Sequence, residues 1–375
     1  MKVALFSVIV HKYLKKFFTG AVGEILPATR QTDSLAGFAF RRFRPVEKGM
    51  VYPMTTAPKI SVIVPVYNVA SYVGECLSSL VHQTFRDFEV IAVNDGSTDG
   101  SLAILKEFEA SYPFIHVIDQ PNQGVSPARM AGLAQAQGDY VAFVDSDDYV
   151  VSTFLEELYT AACANDADIT CCNYYFRFET TGLTITYPCR WKSVLTRDKA
   201  LQRLVRDYSI QGFLWNKLYR RTLFTDYDIP FPAMCFEDMI MNRALFSHAK
   251  KVVTLRKPLY YYQQRHTSAL NTMTPKKIND FFRMLVMTRR FLEESGEYDK
   301  FRFSYRVLCG KTTLCSFYYI TQMHLHHHQA AGFLTNLKKV MRSVRRYMGN
   351  DFESVTDVSL EVVAAPEAET NFSAH

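Results

Sequence analysis

The sequence predicts an α/β fold with a mostly parallel central sheet, flanking helices and a helical C-terminal region. Short apolar runs alternate with segments of helical periodicity between residues 60 and 144, and this alternation is typical of parallel sheets covered by helices. Polar residues follow the apolar runs, at the strand ends where ligands bind in such sheets. From residue 275 onwards the chain keeps a helical pattern rich in aromatic and basic residues.

The predicted elements follow one another in a regular order. The strands cover Ile60–Val66, Phe88–Val93, Ile115–Ile118 and Tyr140–Val144, and the helices between them cover Tyr72–Val81, Leu102–Phe108 and Val125–Ala136. After Asp148 we expect a helix near Phe154–Ala164, strands within Ile169–Tyr187, a mixed stretch to Leu270 and helices over Pro275–Met348.

The same patterns divide the chain into four regions. Residues 1–58 form an N-terminal extension, residues 59–270 the main domain, residues 271–350 a helical region and residues 351–375 a flexible acidic tail. The apolar run at residues 3–10 is much shorter than the ~20 residues that span a bilayer. Because Lys12, Lys15 and Lys16 follow it, the extension is either an amphipathic helix at a membrane surface or a poorly ordered leader.

Charge and composition limit the classes of function. The chain has 375 residues, 48% of them apolar, and a formal net charge of +6, which indicates a globular protein. Basic residues concentrate at positions 12–16, 41–44 and 338–346, and this favours an anionic surface as partner. The acidic strand ends argue against nucleic acid as a partner. Eight cysteines without CxxC spacing predict reduced thiols in a cytoplasmic protein.

The run from Gly138 to Asp148 carries the strongest chemical signal. An apolar strand ends there in three carboxylates, those of Asp145, Asp147 and Asp148. These groups repel one another unless a cation or hydrogen-bond donors lie between them, and the expected occupant is a hard divalent cation. The alternative is a solvated turn that caps the next helix.

Polar residues after the first strands predict a nucleoside pocket. Tyr67 offers a ring on which a base can stack, and Asp95 can accept hydrogen bonds from a base or a ribose. Tyr67 could instead cover the sheet edge, and Asn94–Gly100 could be only a helix cap. Arg129 lies in the first turns of a helix, against the preference of that end for anions, so we expect a phosphate or carboxylate partner.

With these motifs the chain resembles the family 2 glycosyltransferases, inverting enzymes with the Rossmann-like GT-A fold. The matching motifs are Val62–Asn68, Asn94–Asp99, Asn122–Gly124 with Ala128–Arg129, and Asp145–Asp148. A weaker resemblance to bacterial members that build surface polysaccharides covers Trp215–Arg220, Phe236–Asp238 and Tyr260–Ser268. The resemblance implies that residues 59–148 are the nucleotide-binding half, and residues 149–270 the acceptor half, of the catalytic domain.

The resemblance also implies a donor site. Its nucleotide-binding residues are Pro65, Tyr67, Asn68, Asp95, Gly96, Ser97, Arg129, Asp145 and Ser146. Asp145 and Asp147 match the DxD pair, which in the family binds the ribose and a divalent cation on the diphosphate. That cation neutralises charge on the leaving group. Three residues are expected to contact the donor diphosphate, namely Arg265, His266 and Ser268.

The remaining implied roles concern the acceptor. Asp238 matches the catalytic base, with Glu237 as the alternative, although both could simply be an acidic helix start. Trp215 is expected to lie partly in the core at the acceptor cleft, with Asn216 or Lys217 facing the cleft. Met130 departs from the family pattern, which commonly has Asn there, and puts the polar contacts of that turn in doubt.

These implications together predict an inverting enzyme that transfers a single sugar. The donor is a nucleoside-diphosphate sugar, by preference a UDP-sugar, and the acceptor is a hydroxyl of a saccharide or a lipid-linked glycan. The Gln-x-x-Arg-Trp signature of processive members is missing, which favours single transfer. The rivals are a nucleotide-binding module without turnover and a nucleotidyltransferase, and the latter needs a Gly-rich basic loop that does not follow Val66.

The C-terminal helices predict the location of the protein. Their basic and aromatic residues are expected either to hold the enzyme against anionic lipid or a partner subunit, or to pack against the catalytic domain. We therefore expect a cytoplasmic protein, either free or peripheral at the inner face of the cell membrane.

Overall fold

A computed structural model describes residues 57–187, 193–265, 274–326 and 332–349. The predicted flexible tail, the predicted amphipathic leader, His266 and Ser268 lie outside these residues. The chain divides into two compact units. The first holds the described residues up to Ala233 together with Glu237–Arg265, and the second holds Met234–Phe236 with the described residues after His266.

The first unit is built on one twisted sheet. Its strands are β1 (Ile60–Val66), β2 (Phe88–Asp95), β3 (Ile115–Gln120), β4 (Tyr140–Phe143), β5 (Tyr149–Val150), β6 (Ile169–Phe178), β7 (Thr184–Thr186), β8 (Ser193–Thr196), β9 (Lys217–Arg220) and β10 (Lys251–Gln264). Its helices are α1 (Val73–Val81), α2 (Ser101–Ser111), α3 (Val125–Gln135), α4 (Phe154–Asn165), α5 (Arg197–Val205), α6 (Thr222–Thr225) and α7 (Glu237–His248).

The strand order confirms the predicted α/β fold. The strands run β3-β2-β1-β4-β9-β6-β10-β5 across the sheet, with β7 on β6 and β8 on β10. The pairs β1–β2, β2–β3, β1–β4 and β6–β10 are parallel, whereas β9, β5, β7 and β8 pair antiparallel with their neighbours. β1 and β2 are buried along their whole length, which explains their continuous apolar runs.

A small polar network aligns β1 with the start of β4. Ser61 donates to Glu89 over 2.6 Å, and the backbone N–H groups of Gln137 and Gly138 donate to Glu89 and Ser61. A Cβ on Gly138 would lie 2.5 Å from the Ser61 nitrogen, so only glycine fits this crossing. The network fixes the register of β4, whose far end carries the acidic residues.

The second unit is helical, as the sequence predicts. Its helices are α8 (Pro275–Glu294), α9 (Tyr298–His326) and α10 (Phe333–Met348). The Tyr305 hydroxyl lies 3.3 Å from the backbone oxygens of Leu285 and Tyr347 and so joins all three helices. Within the same unit Phe236 stacks on Phe281 at 4.0 Å. None of the helices in the described residues is long and apolar enough to cross a bilayer.

Candidate active site

The turn after β4 separates its three carboxylates and gives each a different partner. Asp145 accepts a hydrogen bond from Arg129 over 3.2 Å, and Asp147 forms an ion pair with Arg265. Asp148 points inward, where it accepts hydrogen bonds from the Tyr260 hydroxyl at 2.8 Å and the Gln263 backbone N–H at 2.7 Å. Donors therefore relieve the repulsion that the sequence predicts.

Asp148 is a structural residue of this turn. Burial first, and then the charge of Asp145, raise the pKa of the Asp148 carboxyl well above its usual range. The Tyr260 hydroxyl also accepts from the Asp145 backbone N–H over 3.1 Å. Tyr260 and Asp148 together clamp the turn to β10, so Asp145 and Asp147 stand on a rigid support.

Arg129 links the turn to the first residue of α7. Its guanidinium donates to Glu237 over 2.5 Å and to Asp145 over 3.2 Å, and its side chain is 7% exposed. Burial alone would lower the pKa of Arg129, but Asp145, Glu237 and Asp238 raise it above its usual value. The predicted carboxylate partner of Arg129 thus lies within the protein, and contact with a nucleotide stays a prediction.

Asp238 lies next to this ion pair and is half-buried. It accepts a hydrogen bond from the Met239 backbone N–H over 2.8 Å. Burial first, and then the neighbouring Glu237 and Asp145 charges, raise the pKa of Asp238 to about 8, although Arg129 opposes the shift. A carboxylate with such a pKa is a competent proton acceptor near neutral pH.

A loop supports the start of α7. Asn242 donates to the backbone oxygens of Gly212 and Phe213 and accepts from the Tyr219 hydroxyl over 2.8 Å. A Cβ on Gly212 would lie 2.6 Å from Met239 Cγ, so the loop can approach α7 closely only with glycine there. These contacts fix the position of Asp238 relative to the sheet.

Lys217 and Asn216 organise that loop. The Lys217 ammonium donates to the Gln211 oxygen at 2.9 Å, to the Asn216 side chain at 2.7 Å and to the Phe213 oxygen. Lys217 is 0% exposed, and burial lowers its pKa. Asn216 is also buried and donates to the Cys172 oxygen over 2.9 Å. Neither side chain presents a polar group to solvent, and a direct acceptor contact stays a prediction.

Trp215 lies in the core of the same region. It is 3% exposed and stacks on Tyr260 at 4.4 Å and on Phe213 at 5.0 Å. Because Tyr260 holds Asp148 and the Asp145 backbone, Trp215 supports the acidic turn through one intervening ring. Contact of Trp215 with an acceptor stays a prediction.

The nucleoside-pocket candidates form a connected group at the ends of β1 and β2. Tyr67 is 49% exposed. The Asn68 backbone donates to Ser97 over 3.1 Å, and its side chain accepts from the Thr98 backbone over 2.8 Å. Gly96 has φ of +69°, and a Cβ there would lie 2.6 Å from the Asn122 nitrogen. Pro65 lies in β1, opposite Val93, and Ser146 is buried in the acidic turn.

Asp95 is a structural hub as well as a candidate ligand. It accepts hydrogen bonds from the Gln120 side chain and from the backbone N–H groups of Gln123 and Gly124, at 2.8–3.0 Å. Asp95 is 3% exposed, and its contact with a nucleoside stays a prediction. The helix-cap alternative for this segment also holds in part, because Asp99 accepts from the Ser101 N–H over 2.9 Å.

Arg265 lies at the acidic turn, as expected for a residue that reaches a diphosphate. Its guanidinium pairs with Asp147 and lies 4.6 Å from the centre of the Tyr72 ring. Tyr72 in turn donates to Glu179 over 3.0 Å. A ligand that approaches Asp147 therefore meets this guanidinium.

The donor set around Asp145 and Asp147 fits a hard divalent cation. Hydrogen bonds engage Asp145 Oδ1 and Asp147 Oδ2, and within the described residues none engages the second oxygen of either carboxylate. In the part of the chain that is described, no group of three or more His, Cys, Asp or Glu side chains forms a complete metal cage. Mg2+ is commonly bound by one or two carboxylates together with substrate phosphates, which is the arrangement these residues could provide.

Sequence reasoning missed several supporting residues. Asn242 is a polar residue within the apolar face of α7, and Tyr260 belongs to a conspicuous Tyr260–Tyr262 run. Both residues are conspicuous in the sequence, but their hydrogen-bond partners lie far away along the chain. Cys76 is also new at the site, since its thiol lies 3.7 Å from the Asp145 backbone oxygen and burial raises its pKa well above the usual range.

Comparisons with known proteins identify the family of this chain. The model of Glycosyl transferase family 2 matches residues 61–246. Glycosyltransferase GlyA of Streptococcus pneumoniae is 37% identical over 60% of this chain, which spans only 33% of GlyA. The uncharacterized glycosyltransferase YibD of Escherichia coli is 34% identical over 64% of this chain and 72% of its own length.

A solved structure supports the fold. Residues 1–349 of S. aureus TarS, in complex with UDP-GlcNAc, superpose with a TM-score of 0.54 at 22% identity, covering 77% of this chain and 92% of that one. The mostly parallel sheet, its helices and the matched sequence therefore lead to one conclusion. The chain belongs to the family 2 glycosyltransferases, enzymes that transfer sugars.

Proposed function

We propose that this enzyme transfers one sugar, with inversion, from a UDP-sugar to a hydroxyl of a saccharide or lipid-linked glycan during synthesis of a cell-surface polysaccharide. The observation that carries the proposal is the Arg129 link, which brings the start of α7 to the turn that holds Asp145. Asp238, the candidate base, is thereby held beside Asp145, a candidate ligand of the sugar donor. The sugar type, a hexose or an N-acetylhexosamine, follows the family resemblance.

Asp238 acts as the base in this proposal. It takes the proton of the acceptor hydroxyl while that oxygen attacks the anomeric carbon, and the bond from this carbon to the diphosphate breaks. One displacement inverts the configuration. Glu237 is less suited, because its Oε1 is engaged by Arg129 and its side chain is only 10% exposed.

The donor contacts follow from the strand ends. The exposed Tyr67 ring stacks on the base, Asp95 accepts a hydrogen bond, and Asn68, Gly96 and Ser97 shape the pocket wall. Asp145 and Asp147 hold Mn2+ or Mg2+, which when bound stabilises charge on the diphosphate. Arg265 contacts the same diphosphate.

Two considerations support the choice of donor and product. UDP-GlcNAc is the ligand of the TarS structure, which makes it the first donor to test. The motifs from Trp215 to Ser268 resemble bacterial members that build surface polysaccharides. An acceptor carried on lipid would place the enzyme at the cytoplasmic face of the membrane.

Calorimetry of UDP binding, with and without Mn2+, tests the donor site. We expect Mn2+-dependent binding in the wild type and its loss in Asp147→Ala. Asp139→Ala is the matched control, because this carboxylate is 61% exposed and pairs with Lys59 outside the acidic turn. Wild-type protein that binds no UDP in the presence of Mn2+ would overturn the uridine assignment.

Turnover separates the enzyme from its rival, a binding module without activity. We expect release of UDP from UDP-GlcNAc or another UDP-sugar by the wild type, and its loss in Asp238→Asn with UDP binding retained. Equal release by the wild type and Asp238→Asn would contradict the assignment of the base.

A further inference from the structure

Helix α10 has two contrasting faces. Asn336, Val340, Val344 and Tyr347 are buried against the rest of the second unit. On the opposite side lies a surface that we call the α10 stripe, formed by Leu334, Leu337, Lys338, Met341, Arg342 and Arg345. These six residues line a shallow groove of about 360 Å³. Leu334 is 68% exposed and Met341 is 41% exposed, so the stripe leaves aliphatic surface in contact with water.

The charge of the stripe has one sign. Between Phe333 and Met348 the sequence contains five basic residues and no acidic one. In the described part of the chain, no carboxylate forms an ion pair with Lys338, Arg342 or Arg345. Exposed aliphatic side chains thus alternate with cations that have no carboxylate partner among the described residues, along one side of a helix about 24 Å long, at ~1.5 Å per residue.

We propose that the α10 stripe binds the surface of an anionic lipid bilayer. Helices that lie in a membrane interface combine aliphatic residues, which enter the acyl boundary, with Lys and Arg, which meet the headgroups. The stripe has both, at positions spaced three and four residues apart. Its cations are complementary to the negative charge of anionic headgroups, and for this reason we assign a lipid surface rather than a protein partner. The inference rests on the proposed function in one respect: a lipid-linked acceptor would be a reason for the enzyme to bind a membrane.

Flotation of the full-length protein with vesicles tests the proposal. Vesicles of phosphatidylcholine with about one third phosphatidylglycerol should bind the wild type, and pure phosphatidylcholine should bind it much more weakly. Each basic residue near an anionic surface contributes roughly a fivefold change in partition, so Arg342→Gln with Arg345→Gln should weaken binding by about 30-fold. Leu334→Ser with Met341→Ser should weaken binding to the same vesicles through loss of the aliphatic contact.

The matched control changes the same charge elsewhere. Lys199→Gln with Arg203→Gln alters two basic residues of α5, in the first unit, and should leave vesicle binding unchanged. A general effect of net charge would weaken binding in both double variants and would overturn the assignment to α10. The proposal would also be overturned if the wild type did not bind anionic vesicles, or if the α10 variants bound them as well as the wild type.

Two further measurements separate this inference from its alternatives. Mn2+-dependent UDP binding should be unchanged in the α10 variants. If the wild type fails to bind vesicles but binds UDP, the membrane inference is wrong and the proposed function is unaffected. If the wild type binds vesicles but no UDP, the proposed donor is wrong and the membrane inference is unaffected. Sedimentation equilibrium detects a second copy on the stripe. A wild-type dimer that dissociates in the α10 variants would overturn the lipid assignment.

Discussion

Arg129 and Glu237 form a buried ion pair although 108 residues separate them along the chain. The same guanidinium reaches Asp145 in the turn after β4. One side chain of α3 therefore fixes the distance between the start of α7 and the acidic edge of the sheet. The site depends on this contact for its geometry before any ligand binds.

Removal of the Arg129 side chain should destabilise the fold. Arg129→Ala leaves Glu237 buried without its cation, and breaking a buried pair in this way costs roughly 3–5 kcal/mol. Urea unfolding would measure the loss. Lys106→Ala is the control, because the Lys106 side chain is 53% exposed and its pair with Glu109 is worth less than about 1 kcal/mol. Similar losses in both variants would show that the buried link does not anchor α7.

The two acidic residues at the start of α7 should respond differently to substitution. Asp238→Asn removes the base and should lower turnover by about 10²–10⁴-fold, with unchanged UDP affinity. Glu237→Gln weakens the contact with Arg129 and should mainly lower the free energy of unfolding. Initial rates of UDP release and urea unfolding of both variants distinguish the roles. Full turnover in Asp238→Asn with none in Glu237→Gln would reverse the assignment.

The raised pKa of Asp238 predicts how activity depends on pH. A base acts only when deprotonated, so kcat/KM should rise with pH and level off above about 8. The rise should disappear from the residual activity of Asp238→Asn. A wild-type profile that is flat from pH 6 to 9 would exclude a group with this pKa as the base.

The same shift affects stability with the opposite sign. The pKa of Asp238 rises from 3.8 to about 8 on folding, so the folded chain holds the proton more tightly than the unfolded chain. The stabilising contribution is complete below about pH 4 and is lost as the pH rises through about 8. The free energy of unfolding of Asp238→Asn should therefore fall less over this range than that of the wild type.

We expect Arg265 to compete with a bound metal for Asp147, because both would place positive charge on one carboxylate. Arg265→Gln should tighten Mn2+ binding in the absence of nucleotide by up to about tenfold, since a charged hydrogen bond is worth ~1.5 kcal/mol. The same change should weaken UDP binding in the presence of Mn2+. Electron paramagnetic resonance of free Mn2+ measures the first effect and calorimetry the second. Weaker Mn2+ binding without nucleotide would contradict the competition.

The first strands and helices could be predicted closely because their signals are local, and β1 occupies the predicted residues Ile60–Val66. The stretch from Tyr187 to Leu270 was predicted only as mixed, and it holds β8–β10 and α5–α7. The partners within the site could not be predicted. Lys217 looks like a surface residue, since lysine is rarely buried without a partner, and its partners are carbonyls of a loop that only the folded chain brings to it.

The acidic turn posed a related problem. The sequence shows three similar carboxylates, and nothing in their spacing reveals that Asp148 faces Tyr260 while Asp145 faces Arg129. The direction of each side chain depends on the antiparallel pairing of β5 with β10, which lie far apart along the chain. The residue types at the site could therefore be predicted from the sequence, whereas the partner of each carboxylate could be found only in the tertiary structure.

The reactivity of the Cys76 thiol can report on the opening of the acidic turn. Its thiol is fully buried beneath the Asp145 backbone, whereas Cys163 is exposed on α4. A thiol reagent should therefore modify Cys163 quickly and reach Cys76 only when the turn after β4 opens. The labelling rate of Cys76 would then measure the opening free energy of this one turn, in unmodified protein and without a probe at the catalytic residues.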